Sequence, residues 1–246
     1  MPGWPLAEVL DGAAAAGFTS IGLDNFTLRG HELDDVGRML REHGLVCSDV
    51  GVLPIGTDHV LDVAEMLARG IEVTAAPLCI AAFFAPTTTV DAVRDLDACA
   101  RIVSNVGARL ALEFASYGGL TRLGDAVALC DAVGWERCGL LVDTWHFFRT
   151  DAPWDLLRSL DGDRIALVHV NDGSAVAGPD PVYEGRFRRL PVGEGDFPLA
   201  EFAAALDDAG FAGTLSTEVL SDRIRLQPPA NGARALLTAL RSSWPT

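Results

Sequence analysis

Residues 139–148 read GLLVDTWHFF. The apolar run carries Asp143 into a position that should be buried, and His146 follows three residues later among aromatics. An unpaired carboxylate in such a place is costly or takes up a proton, so Asp143 needs partners from elsewhere in the chain. On one side stands the helical pattern GDAVALCDAVG. On the other, PWDLLRSL leads into a second apolar strand, IALVHVND, at 165–172.

Outward from this pair the same beat repeats. PLAEVLDGAAAAG leads to a strand at 20–24, HELDDVGRMLREHG to one at 46–53, and HVLDVAEMLARG to one at 77–84. A longer helix from about Val90 to Val106 precedes a strand at 110–115, PLAEFAAALDDAG precedes one at 213–219, and GARALLTALRSS closes the chain. Seven strands and eight helices in alternation predict a parallel sheet covered by helices. An open doubly wound sheet and a closed (β/α)8 TIM barrel both fit. The first strand lacks the glycine-rich loop that nucleotide-binding open sheets carry. No linker interrupts the beat, so residues 1–246 are expected to form a single TIM-barrel domain. A barrel has eight strands, however, and this pattern starts with a helix. The expectation is that the barrel's first strand is missing from this chain.

Composition narrows the function. With 49% hydrophobic residues the chain can fill a large core. Its net charge of −15 argues against affinity for nucleic acid or an anionic membrane, which need a basic surface. No apolar run is long enough to span a bilayer, and the N-terminal stretch lacks the basic start of a secretory signal. The five cysteines (Cys47, Cys79, Cys99, Cys130, Cys138) have no CxxC spacing and are expected to be buried free thiols. A cytoplasmic protein is the expectation.

In such barrels the chemistry lies at the carboxyl ends of the strands. There the last four strands present Glu113, then Asp143 with His146, then His169 with Asp172, then Glu218. Each alone has a structural explanation, as a helix cap or a hydrogen-bonded core residue. Acids are depleted inside strands, and four successive strands deliver an acid or imidazole at equivalent positions. Three carboxylates at one mouth repel unless a cation sits between them. One divalent ion held by Glu113, Asp143, His169 and Glu218 removes the conflict, and the oxygen-rich set suits Mn²⁺, Mg²⁺ or Co²⁺. Trp145, Phe147, Phe148 and Trp154 either wall the pocket or pack helix against barrel.

The segments LEF, VDTWH, VHVND and STEV, in that order, resemble the xylose isomerase-like TIM-barrel superfamily, and within it the sugar phosphate isomerase/epimerase group. The resemblance extends from Pro5 onward. It implies that Glu113, Asp143, His169 and Glu218 are metal ligands, with Glu113 and Glu218 also acting as the acid/base pair. It further implies that His146 meets the substrate; Trp145, from the aromatic cluster, is a further candidate substrate contact. RFRRLPVGEGDF (186–197) resembles the family's arginine and glycine-containing loop, which makes Arg188 or Arg189 a substrate contact, although PVGEG departs from the family's usual PGEG.

The chemistry expected is metal-assisted enolisation of a ketose or related polyhydroxy ketone, giving isomerisation or epimerisation. Expulsion of a β-hydroxyl from the same enolate would make the protein a dehydratase of the inosose or 3-dehydroshikimate type. A non-catalytic partner subunit and a metal-dependent apurinic-site nuclease are the readings from other classes; the acidic charge opposes the nuclease. The expected partners are a small polyhydroxy ketone or sugar and, in a homo-oligomer, further copies of the chain. No glycine-rich phosphate cradle opens the last loop, EVLSDRIRLQPP.

Overall fold

The structure is a computed structural model and describes residues 3–244. Helix α1 (Leu6–Ala16) leads into β1 (Ser20–Asp24). Helices α2 (Asn25–Gly30) and α3 (Leu33–Glu42) precede β2 (Val46–Ile55), and α4 (Val60–Thr74) precedes β3 (Leu78–Phe83). Next come α5 (Thr89–Asn105), β4 (Arg109–Glu113), α6 (Leu123–Val133) and β5 (Cys138–Asp143). Helices α7 (Thr144–Arg149) and α8 (Trp154–Ser159) then lead to β6 (Ile165–Val170). Helices α9 (Pro181–Phe187) and α10 (Leu199–Asp208) lead to β7 (Thr214–Thr217), and α11 (Asp222–Arg225) and α12 (Pro229–Ser243) follow.

All neighbouring strands pair in parallel, in the order β1-β2-β3-β4-β5-β6-β7. The sheet is the TIM-barrel-like one expected, with seven strands. The helix count differs: twelve are present among the described residues. Eight are those read from periodicity. The extra four, α2, α7, α9 and α11, are short and follow the strands at their carboxyl ends. Helices of four to seven residues are too brief to show an amphipathic period, so the sequence pattern passes over them.

Local chemistry sets the boundaries. Thr88 caps α5 by accepting a hydrogen bond from the Asp91 amide, and Gly17 ends α1 with a left-handed φ of 99°. The largest core cluster lies between sheet and helices and includes Leu96, Leu140, Val168 and Phe202, each fully buried. Burial of each such side chain stabilises the fold by roughly 1.5–3 kcal/mol. A second, smaller cluster of Ile80, Ala111, Leu141 and Leu167 fills the inside of the sheet's curve. Residues two steps further along these strands face the same way. Those two steps reach Glu113 from Ala111, Asp143 from Leu141 and His169 from Leu167. The apolar inner layer is therefore the floor on which the polar site stands.

Candidate metal centre and active site

Glu113 ends β4, Asp143 ends β5, His169 lies in β6 and Glu218 follows β7 by one residue. One ligand atom from each of the four lies within 4.8 Å of the others. The sequence set thus meets in space.

Asp143 is fully buried and has three partners. Its Oδ1 accepts from the Trp145 amide at 2.7 Å, capping α7, and from Asn171 Nδ2 at 2.8 Å. Its Oδ2 accepts from Arg189 Nη1 at 2.7 Å. The chain therefore turns from strand to helix at Asp143, inside the run GLLVDTWH (139–146) that the sequence pattern reads as strand. His146 consequently sits on a helix. It is buried, and its Nδ1 accepts a hydrogen bond from the Ser116 amide at 3.1 Å. That bond leaves the ring proton on Nε2, which lies 4.0 Å from Glu113 Oε1. Burial lowers the His146 pKa to about 4, so the neutral ring is a hydrogen-bond donor at its inward nitrogen.

Of the two candidate arginines, only Arg189 reaches the cluster. It is buried, donates from Nε to the Gly185 carbonyl, and its Nη1 bridges Asp143 and Glu218 at 2.7 Å each. Arg188 is exposed and lies over the Tyr183 ring, 5.6 Å from its centroid. Trp145 is buried; its ring packs against Phe197 and lies 4.6 Å from the Arg149 guanidinium. Phe147, Phe148 and Trp154 stack on one another and on Phe202. For these three the geometry is helix packing.

Asn171, Tyr117 and Asp49 escaped the sequence reading, whereas Asp172 stood in it beside His169. Asn171 locks β5 to β6, its amide donating to Thr144 Oγ1 while that hydroxyl donates to the Asn171 carbonyl. Asp172 accepts from the amides of Gly173, Gly193 and Phe197, pinning the loop that follows Arg189. Tyr117 packs edge-on to His146, with ring centroids 5.2 Å apart. Asp49 is a buried acid inside β2. Asp49 carried the same signal as Asp143, an acid inside an apolar strand. Tyr117 lies in a loop and carried none.

The electrostatics test the metal reading. With Glu113 ionised and His169 neutral, as ligands must be, three carboxylates face one guanidinium, an excess of negative charge that a divalent cation would balance. Burial, with the Glu218 and Asp143 charges, raises Glu113 to about 8. Burial also acts on Glu218, but the His169 and Arg189 charges outweigh it and hold that carboxyl well below its usual range. For His169, burial opposes the charged form, yet the Glu218 carboxylate raises the imidazolium to about 9. Among the described residues His169 Nδ1 is buried without a hydrogen-bond partner, 3.5 Å from Glu218 Oε2. Clustered carboxylates and an orphaned ring nitrogen fit a cation.

A sequence profile of the xylose isomerase-like TIM barrel matches residues 10–243, and the chain belongs to that family. Part of it is similar to a 3-dehydroshikimate dehydratase of Pseudomonas aeruginosa, 33% identical over 103 residues, which are 40% of this chain and 16% of that enzyme. Part of it is also 28% identical over 120 residues to an inosose isomerase of Bacillus velezensis, covering 48% of this chain and 42% of the relative. The matches thus span well under two thirds of either enzyme. Among solved structures, the IOLI protein with a bound zinc atom superimposes with a TM-score of 0.86 at 17% identity, over 98% of this chain and 93% of that one. At that identity the likeness concerns the fold. No described helix is long and apolar enough to cross a membrane.

Proposed function

We propose that the chain is a divalent-metal-dependent isomerase or epimerase acting on a ketose or related polyhydroxy ketone through an enediolate. The observation that carries this reading is the pair Glu113 and Glu218, two carboxylates at one site whose surroundings push their proton affinities apart. Such separation is how one site holds an acid and a base together. Glu218, ionised, takes the proton α to the substrate carbonyl. Glu113 returns a proton to the opposite face or to the neighbouring carbon. His146 donates its Nε2 proton to a substrate oxygen beside Glu113, and the Ser116 amide keeps the ring in that tautomer. Arg189 holds Asp143 and Glu218 in place. An ion held by Glu113, Asp143, His169 and Glu218 would polarise the substrate carbonyl. Mn²⁺, Mg²⁺ or Co²⁺ suits the donor set. Five buried free thiols support a reducing, cytoplasmic setting.

The partial likeness to a 3-dehydroshikimate dehydratase favours a second reading, in which the same enolate expels a β-hydroxyl. The test incubates the protein with Mn²⁺ and, separately, a ketohexose, an inosose and 3-dehydroshikimate in deuterated buffer. Deuterium at the α-carbon without loss of water is expected for isomerisation or epimerisation; a dehydrated product selects the second reading. Glu218→Gln should abolish the exchange, and undiminished exchange refutes the role given to Glu218.

A further inference from the structure

The loop between β4 and α6 carries Tyr117, four residues beyond Glu113 at the end of the barrel where the acidic cluster lies. Backbone bonds fix its path. The Ala115 amide donates to the Leu120 carbonyl at 2.8 Å, and the Gly119 amide to the Phe83 carbonyl, at the end of β3, at 2.7 Å. The Tyr117 ring is held on two sides. His146 meets it edge-on at 72°, and Gly185 of α9 lies so close that a Cβ there would stand 2.5 Å from Tyr117 Cε1. Arg189 Nε ties the Gly185 carbonyl down at 2.7 Å. A ring packed in this way has little rotamer freedom, so its hydroxyl is in place before any ligand arrives.

Phenylalanine would serve the packing equally well; the hydroxyl is what needs a partner. It lies against the Arg189 guanidinium, with the Glu113 and Asp143 carboxyls close by. A guanidinium only donates, so in that contact the Tyr117 oxygen accepts and keeps its own proton for another acceptor. Among the described residues Arg189 is the hydrogen-bonding neighbour of that hydroxyl, and no acceptor takes its proton. Accepting from a charged group also makes the phenol a stronger donor in its turn. His146 Nε2 carries a second proton on the same side of the cluster, 4.0 Å from Glu113 Oε1. Two fixed donors thus stand beside the carboxyl that must reach the substrate.

We propose that Tyr117 is a further substrate contact and sets specificity: its hydroxyl donates to one substrate oxygen while His146 Nε2 donates to the neighbouring one. The inference rests on the proposed function and deepens it. The site selects ketones that carry oxygens on adjacent carbons, and it rejects a monodeoxy analogue that lacks the partner of Tyr117. A fixed donor left without its acceptor is what makes such selection effective.

The chain has two tyrosines, and Tyr183 on α9 is exposed, so carbon-13 labelling at the ring Cζ brings its own control. D-Fructose and, in a second series, an inosose are titrated into the labelled protein with Mg²⁺ present, and binding is followed in parallel by calorimetry. The Tyr117 signal should shift and saturate with the heat while the Tyr183 signal stays. Tyr117→Phe should keep the melting temperature and the Mg²⁺ affinity, and weaken binding of the ketone by about tenfold. Of 1-deoxy- and 4-deoxy-D-fructose, one should bind the wild type about tenfold more weakly than D-fructose does, and bind the variant as well as D-fructose does. The proposal is overturned if a ketone binds and the Tyr117 signal does not move, or if Tyr117→Phe binds it within about twofold of the wild type. It is equally overturned if the variant loses the same factor for D-fructose and both deoxysugars, the mark of a packing role. Those outcomes leave the proposed function standing. Where neither ketone binds or exchanges its α-proton, the proposed function and this proposal fall together.

Discussion

Strands β5 and β7 both deliver an acid to the site, and they are built differently. All six residues of β5 are buried, and it has a parallel neighbour on each side. β7 has one neighbour, and its four residues are exposed or half-buried. Asp143, at the end of β5, is fully buried and accepts three hydrogen bonds. The Glu218 side chain is 34% exposed and is bonded by Arg189. One acid belongs to a fixed wall and the other to an edge. On the proposed function, Asp143 would only bind an ion and suits a wall, whereas Glu218 would also take and release a proton and gains from the freedom of an edge.

The largest effect should come from cutting the tie between the two strands. Arg189→Ala leaves Asp143 buried without its counter-charge and should cost about 3–5 kcal/mol in denaturant unfolding. A loss near zero would mean that the wall does not depend on the ion pair. The contrast in packing can be measured directly. Leu140→Ala on β5 removes a fully buried side chain and should cost about 2–5 kcal/mol, whereas Leu215→Ala on half-buried β7 should cost about 1 kcal/mol or less. Equal losses would erase the distinction.

Acidification probes the wall through His146. Its pKa falls from 6.5 to about 4 on folding, so between those values the unfolded chain binds more protons. Stability is therefore expected to fall as pH drops through that window, by up to about 3 kcal/mol at roughly 1.4 kcal/mol per unit. His146→Gln should flatten the profile. The smallest effect concerns the ion. Glu113, at about 8, and His169, at about 9, must both lose protons to become ligands. Mn²⁺ affinity should rise with pH towards those values, with proton release visible as a buffer-dependent heat in calorimetry.

How legible each part was in the sequence follows the same division. Parallel strands buried on both faces write long apolar runs, so β3, β5 and β6 announce themselves, and an acid inside such a run stands out. Glu113, Asp143, His169 and Glu218 were read together, as an acid or imidazole at the equivalent end of four successive strands. The turn at Asp143 was hidden because Thr144–Phe148 reads equally well as strand; the Asp143 cap to the Trp145 amide decides it. Choosing between Arg188 and Arg189 was beyond the sequence too. Adjacent residues point to different sides, and which side faces inward depends on the short pairing of Arg188 with Ser221. Tyr117 and Ser116 belong to a loop whose path is set by contacts with α7, and their role is tertiary from the start.

Arg189 has one more consequence, for the order of events in the life of the molecule. Because the guanidinium already neutralises part of the acidic cluster, the folded barrel carries its own resident counter-ion. On the proposed function, metal loading would then be a late, reversible step on a finished scaffold, sensitive to which ions the surroundings offer. Stripping the ion with a chelator should silence the protein while leaving it folded.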